Sequence, residues 1–180
     1  MLLFSVMENN NQFTYNIIDN FLEQDFFNFL KDTITDQDFP WRRRPRMTVG
    51  PGSEVDNGYF TYNFFNDFKS SSDKLYDLLI IPIMKQLNAK ALIQARANLM
   101  LKELFINHAS NYHTDNLTGN FTAILNLTNC DGGTHLMVDN KEIFVKSQEN
   151  RILIFNPKIL HRSVRNNNSM VRYYINLNYY

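Results

Sequence analysis

From Ala91 onward, apolar and polar residues alternate one by one. In LIQARANLML, Ile93, Ala95, Ala97, Leu99 and Leu101 share one face, and Gln94, Arg96, Asn98 and Met100 share the other. That is the two-residue period of a β-strand. Similar runs follow at Phe121–Leu127, His135–Val138, Glu142–Lys146, Arg151–Phe155 and Val171–Tyr179. Turn formers separate them: Asp131-Gly132-Gly133, Asp139-Asn140, Asn156-Pro157 and Asn166 to Asn168. In the last run Val171, Tyr173, Ile175 and Leu177 oppose Arg172, Tyr174, Asn176 and Asn178. This suits a strand wet on one side, or one that lines a polar pocket inside a barrel.

The first ~90 residues carry helical spacing instead. Asn20 to about Thr35 reads as a helix, with Asn20 and Glu23 as a capping box and Leu22, Phe26, Phe29, Leu30 and Ile34 on one face. A second helix begins near Ser72 with Leu75, Leu78, Leu79, Ile83 and Leu87 on a face, and Pro82 should kink or split it. Between them, WRRRPRMTVGPGSEVDNG reads as a long exposed loop or irregular hairpin. The expected fold is α+β and mainly β: a jelly-roll or barrel core over about 91–180, with the helices of about 1–90 packed outside. All 180 residues are expected to form one domain.

Composition narrows the partners. Hydrophobic residues make up 44% and charged residues 20%, which is globular rather than disordered. Eighteen basic residues balance eighteen acidic ones, so overall charge favours neither nucleic acid nor a membrane surface. One local cluster stands out: Arg42-Arg43-Arg44-Pro45-Arg46 behind Trp41. It is either a solvated loop or a contact for nucleic acid, an acidic peptide or a phosphate-bearing small molecule. Cys130 is the single cysteine, which excludes an internal disulfide and points to a reducing compartment. The opening MLLFSVMENN lacks the basic start and cleavage-like end of a signal peptide, and no run approaches the ~20 apolar residues that span a bilayer. The expectation is a soluble, cytoplasmic protein.

Candidate chemistry centres on His113-Thr114-Asp115, where a histidine and a carboxylate two residues apart can reach one metal ion. Taken alone the pair is weak, since His113 can be a loop histidine and Asp115 a turn cap. Farther on, His161 follows the apolar run Arg151–Phe155, and Arg172 follows eleven residues later on the polar face of the next strand. Two imidazoles and one carboxylate leave open positions on an octahedral ion, the arrangement of non-haem Fe(II) oxygenases. A guanidinium nearby offers a two-pronged donor to a carboxylate. The bland alternative makes His161 a core histidine and Arg172 a surface ion pair.

These residues sit in a longer pattern: YNIIDNFL at Tyr15–Leu22, FPW at Phe39–Trp41, YFTYNFF at Tyr59–Phe65, ALIQARANL at Ala91–Leu99, YHTD at Tyr112–Asp115, FTAILNLTNCDGGT at Phe121–Thr134, NRILIFNPKILHRS at Asn150–Ser163 and VRYYINLNY at Val171–Tyr179. In order and spacing the chain resembles the prolyl-4-hydroxylase-like branch of the Fe(II)/2-oxoglutarate dioxygenases, most of all small members carried by marine bacteriophages. The resemblance implies a double-stranded β-helix (jelly-roll, cupin-like), with His113, Asp115 and His161 as catalytic iron ligands and Arg172 as anchor of the cosubstrate's C5 carboxylate. It implies Fe(II), 2-oxoglutarate and O2 as requirements, with ascorbate as a candidate reductant. The implied reaction hydroxylates a protein side chain, prolyl among them, or a small molecule, and yields succinate and CO2. For a phage-borne gene the compartment would be the host cytoplasm. The rival class is a non-catalytic jelly-roll module, its histidines and aspartate relics or ligands of a structural metal.

One departure concerns a second anchor. The oxygen-sensing relatives carry a tyrosine near the position of Leu125, which cannot donate a hydrogen bond. Strand parity makes Asn98, Thr122, Asn126 and Tyr174 candidate cosubstrate-binding residues instead. Arg96 and Asn98 either line the pocket or lie on an edge strand, whereas His108 and His135 read as packing or surface residues.

Overall fold

In the computed structural model, residues 8–9, 12–44, 59–66, 69–70, 74–102, 109–115 and 119–180 are described. Their strands are β1 (Glu8–Asn9), β2 (Gln12–Phe13), β3 (Tyr15–Ile18), β4 (Arg42–Arg44), β5 (Tyr59–Asn66), β6 (Lys69–Ser70) and β7 (Leu92–Leu101). β8 (Phe121–Asn126), β9 (Gly133–Val138), β10 (Lys141–Lys146), β11 (Arg151–Phe155), β12 (His161–Val164) and β13 (Val171–Tyr179) complete them. Helix α1 (Gln24–Thr35) follows β3, and a π-helical segment at Tyr76–Ile80 runs into α2 (Ile81–Leu87). The strands form a major antiparallel sheet, ordered β3-β11-β8-β13-β7-β5-β4 with β6 beside β5, and a minor sheet, β10-β9-β12. β1 and β2 pair separately.

Strand alternation builds two cores. On one face of the major sheet, Ala95, Ala97, Ala123, Leu125, Ile152, Ile175 and Leu177 pack with Phe27, Leu30, Ile34, Leu79, Ile80 and Ile83 of the helices. On the other face, Tyr59, Met100, Ile124, Leu153, Phe155 and Tyr174 meet Leu136 and Val145 of the minor sheet. β11 is apolar along its length for this reason: Ile152 and Ile154 face the helices, and Leu153 and Phe155 face the second sheet. Each such side chain contributes roughly 1.5–3 kcal/mol when fully buried.

The turns fit their chemistry. Asp139 and Asn140 both have positive φ, 49° and 59°, the geometry of a two-residue hairpin between β9 and β10. At Gly133 any side chain would begin 2.2 Å from the Val145 carbonyl, so the close approach of β9 and β10 requires glycine.

Three expectations change. Helix α1 starts at Gln24 rather than Asn20; Asn20 is left-handed at φ 51°, and Glu23 makes no capping hydrogen bond. Its buried face is Phe27, Leu30 and Ile34, while Phe29 is 48% exposed, because the entry fixes the helix rotation. That entry is held by buried Asn150, which accepts from Leu22 N at 2.9 Å and donates to Leu22 O at 2.8 Å. Second, the second helical stretch is split beside Pro82 as expected, with a π-helical segment before α2 in which Ile81 N–H donates to Tyr76 O, five residues back, but it buries a different face. The buried face here is Leu79, Ile80 and Ile83, with Leu78 half exposed. Third, the first 90 residues are not only helical, since β3, β4 and β5 belong to the major sheet. Of the two readings of the segment after Trp41, the hairpin fits: Arg42–Arg44 is a strand paired antiparallel with Tyr59–Thr61 of β5; Pro45 and Arg46 lie outside the described residues. Among the described residues, no helix is long and apolar enough to cross a membrane.

Candidate metal centre

The segment carrying His113 lies along β12, which carries His161. The two histidines form a reciprocal backbone bridge, His113 N to His161 O at 3.0 Å and His161 N to His113 O at 2.8 Å. Two residues on, Asp115 N donates to Pro157 O at 3.0 Å, in the turn between β11 and β12. One ligating atom from each of His113, Asp115 and His161 lies within 4.8 Å of the others, close enough for a single ion. His161 Nε2 stands 3.8 Å from Asp115 Oδ1.

The tautomers follow from the backbone. His113 Nδ1 is 3.2 Å from Asn111 O, and His161 Nδ1 is 2.9 Å from Ile159 O. Each Nδ1 therefore carries the proton and gives it to a carbonyl two residues back, which leaves the Nε2 lone pair free. His161 is 4% exposed, packed edge-on against the Phe155 ring at 4.8 Å. Burial pushes its pKa down, Asp115 pulls it up and His113 pushes it down again. The net direction keeps the imidazole neutral, as a metal ligand must be. Neutral nitrogens, one carboxylate and no thiolate suit Fe(II).

The cleft beside the triad is lined by residues including Tyr59, Arg96, Ser163, Tyr174 and Asn176. Behind it lies the polar face of the major sheet, from which Tyr59, Arg96, Ile124, Tyr174 and Asn176 reach the cleft, and strand register sets the residues of that face side by side in rows. One row runs Tyr59, Met100, Arg172, the next Thr61, Asn98, Tyr174, Asn126, and the third Asn63, Arg96, Asn176, Ile124. Arg172 is fully buried behind Tyr174, its guanidinium carbon 4.6 Å from the ring centroid. Nη1 donates to Gly133 O at 2.8 Å, Val164 O at 3.0 Å and Ser163 Oγ at 3.1 Å. Nη2 reaches Asn126 Oδ1 only at 3.4 Å, and Nε has no partner. Burial works against its charge, so a buried guanidinium with donors to spare fits an anionic group.

The remaining candidates are placed as follows. Asn98 is fully buried, accepts from Tyr59 Oη at 2.6 Å and Arg96 Nε at 3.1 Å, and donates to Arg96 O at 3.0 Å. Burial, reinforced by Tyr174 alongside, raises the Tyr59 pKa strongly and keeps it a donor. Thr122 sits against Asp115. Tyr174 lines the cleft and Asn126 meets Arg172. Leu125 faces the helices, and the residue of β8 that lines the cleft is its neighbour Ile124. Tyr59 and Ile124 carry no signal in the sequence beyond the parity of their strands, whose pairing the sequence does not give. His135 lies on β9 against Phe144, Glu142 and Arg162. His108 lies outside the described residues.

No family model matches the sequence, and no curated protein matches it. Solved structures do. A prolyl hydroxylase from Trichoplax adhaerens, in complex with a hypoxia inducible factor oxygen degradation domain peptide fragment, superposes with a TM-score of 0.70 at 15% identity, covering 93% of this chain and 83% of its own. A 2OG-Fe(II) oxygenase family oxidoreductase from Burkholderia pseudomallei gives 0.65 at 9% identity, over 92% and 84%. The Pseudomonas putida prolyl-4-hydroxylase gives 0.58 at 14% identity, over 92% of both chains. The chain has the fold of these proteins. It is a two-sheet double-stranded β-helix with N-terminal helices outside, and at these identities the likeness is one of fold.

Proposed function

We propose that this protein is an Fe(II)- and 2-oxoglutarate-dependent oxygenase. One observation carries the reading: two histidines with free Nε2 atoms and one carboxylate converge at a cleft whose floor hides a buried arginine with unspent donors. A structural metal site would need no such arginine. His113, Asp115 and His161 would hold the iron, and Arg172, with Ser163 beside it, would take the distal carboxylate of 2-oxoglutarate. Bound together with O2, iron and 2-oxoglutarate supply the oxidising chemistry, giving succinate, CO2 and a hydroxylated substrate. The chain's own part is geometric. The His113–His161 bridge sets the spacing of the imidazoles, Thr122 orients the carboxylate, and Phe155 and Ile124 wall the site with apolar surface. The fold likeness to two prolyl hydroxylases supports a prolyl or other protein side chain as substrate, with a small molecule as the other option. The lone Cys130, buried and free, suits the reducing cytoplasm.

The test is anaerobic titration followed by oxygen. One Fe(II) should bind per chain, 2-oxoglutarate should bind only to the iron-loaded protein, and admitting O2 should produce slow succinate formation. Iron binding without any 2-oxoglutarate binding would mean that the metal is structural.

A further inference from the structure

We infer that the substrate of this site is a carboxylate that carries a neighbouring N–H, met by Arg96 together with Asn63 and Asn176. The inference rests on the oxygenase reading above and concerns the polar residues of the third row, which that reading leaves without a task.

Charge is the first argument. The charges of a divalent iron, Asp115, Arg172 and a 2-oxoglutarate dianion cancel. Arg96 lines the same cleft as His113 and His161 and is left over. It is half-buried, its Nε donates to the neutral Asn98 amide, and the ion pairs found among the described residues do not include it. An uncompensated guanidinium inside a cleft favours a ligand that brings a negative charge.

The flanking residues are the second. Asn63 and Asn176 stand directly opposite Arg96 on the neighbouring strands β5 and β13. Both have a buried side-chain carbonyl oxygen with no partner. The two amides flank the cation, and at Asn176, which lines the cleft, the orphaned oxygen fits a group that accepts at its centre and donates at its edge. A carboxylate on a carbon bearing an amide N–H has that form, as in an N-acyl amino acid or the last residue of a peptide. A free amino acid matches less well, because its ammonium restores the surplus positive charge. At the nearby edge of the sheet, Arg44 lies beside Tyr59 with Nε 2.9 Å from Thr61 Oγ1, which adds a basic approach to the same face.

The experiment uses full-length protein loaded with Mn(II) and saturating 2-oxoglutarate, so that Arg172 is already occupied. Four probes are compared by saturation-transfer NMR and calorimetry: pooled N-acetyl-L-amino acids, the same pool as primary amides, tripeptides with free C-termini, and those tripeptides amidated. At least one acid pool should bind tenfold or more tightly than its amide pool, and the preferred one shows whether the source is a small acid or a peptide end. Arg96→Gln should abolish the preference, and Arg96→Lys should keep part of it. Thermal melts of both variants check the fold. Absence of any acid preference in the wild type overturns the inference. So does an Arg96→Gln protein whose principal loss is 2-oxoglutarate affinity, since Arg96 would then serve the cosubstrate. Failure of 2-oxoglutarate to bind the metal-loaded wild type would instead count against the oxygenase reading itself.

Discussion

Thr122 Oγ1 lies 2.7 Å from Asp115 Oδ2, while the other oxygen, Oδ1, is the one that faces His161 Nε2. A threonine hydroxyl has one proton. Given to Oδ2, it ties down one side of the carboxylate and leaves Oδ1 for a cation. Thr122 Oγ1 is also 2.8 Å from Asn178 Oδ1, and Asn178 Nδ2 has no partner. Turning that amide over satisfies both groups and makes a chain from Asn178 through Thr122 to Asp115. Thr122→Val should therefore lower Fe(II) affinity roughly 10- to 100-fold, as loss of a ligand's supporting hydrogen bond commonly does. Thr122→Ser should restore most of it. Competition against a chelator under anaerobic conditions measures the change, and wild-type affinity in the valine variant would show that the bond does not position Asp115.

Removal of a ligand itself should act more severely. His113→Ala, Asp115→Ala and His161→Ala should each abolish stoichiometric Fe(II) binding. The apolar clusters flanking the site supply the stability and contain none of these residues, so far-UV circular dichroism should stay native. Retained iron affinity in His161→Ala would end the triad assignment.

Arg172→Ala should raise the 2-oxoglutarate concentration needed for half-saturation by about 10- to 100-fold, the size of a lost charge-assisted hydrogen bond. Lysine should recover part, because it supplies charge without the fork. The alanine variant should also melt earlier, since Nη1 joins Gly133, Ser163 and Val164. Iron affinity separates the effects: it should change little while cosubstrate binding collapses.

Asn150→Ala should destabilise the fold by on the order of 2–4 kcal/mol, because two buried backbone groups of Leu22 lose their partner. The backbone there is left-handed, at φ 57°, which adds strain for alanine. Asn150→Gly relieves the strain alone, so urea denaturation of the two variants divides the cost between backbone and hydrogen bonds.

Asp19 pairs with Arg151 at 2.6 Å, and that hydrogen bond holds its pKa below the ordinary 3.8. A carboxylate with a depressed folded pKa adds stability above its unfolded pKa and loses it as pH falls through the folded one. Asp19→Asn should thus flatten the loss of stability below about pH 4. The side chain is 44% exposed, so the effect should be small and should shrink in high salt. An unchanged acid limb in the asparagine variant would show that the pair contributes nothing.

Much of the architecture was local and therefore readable. The alternation of β13 is legible residue by residue, because one face packing on helices and the other on a polar cleft forces it, whereas the cleft itself is not. The turns at Asp139-Asn140 and Gly132-Gly133 were legible because positive φ and close backbone approach restrict the residue types allowed. The order and spacing of His113, Asp115, His161 and Arg172 mark a candidate site in the sequence, though not its geometry. Which residues stand beside them depended on strand pairing, and pairing joins segments far apart in the chain. Tyr59 reaches Asn98, and Asn63 and Asn176 flank Arg96, only because β5 and β13 lie on either side of β7. The rotation of α1 likewise came from Asn150, 128 residues beyond Leu22, whose side chain outweighed the local capping signal at Asn20. Periodicity marks the faces of a strand within the sequence itself; the neighbours each face meets are chosen by contacts that no local pattern encodes.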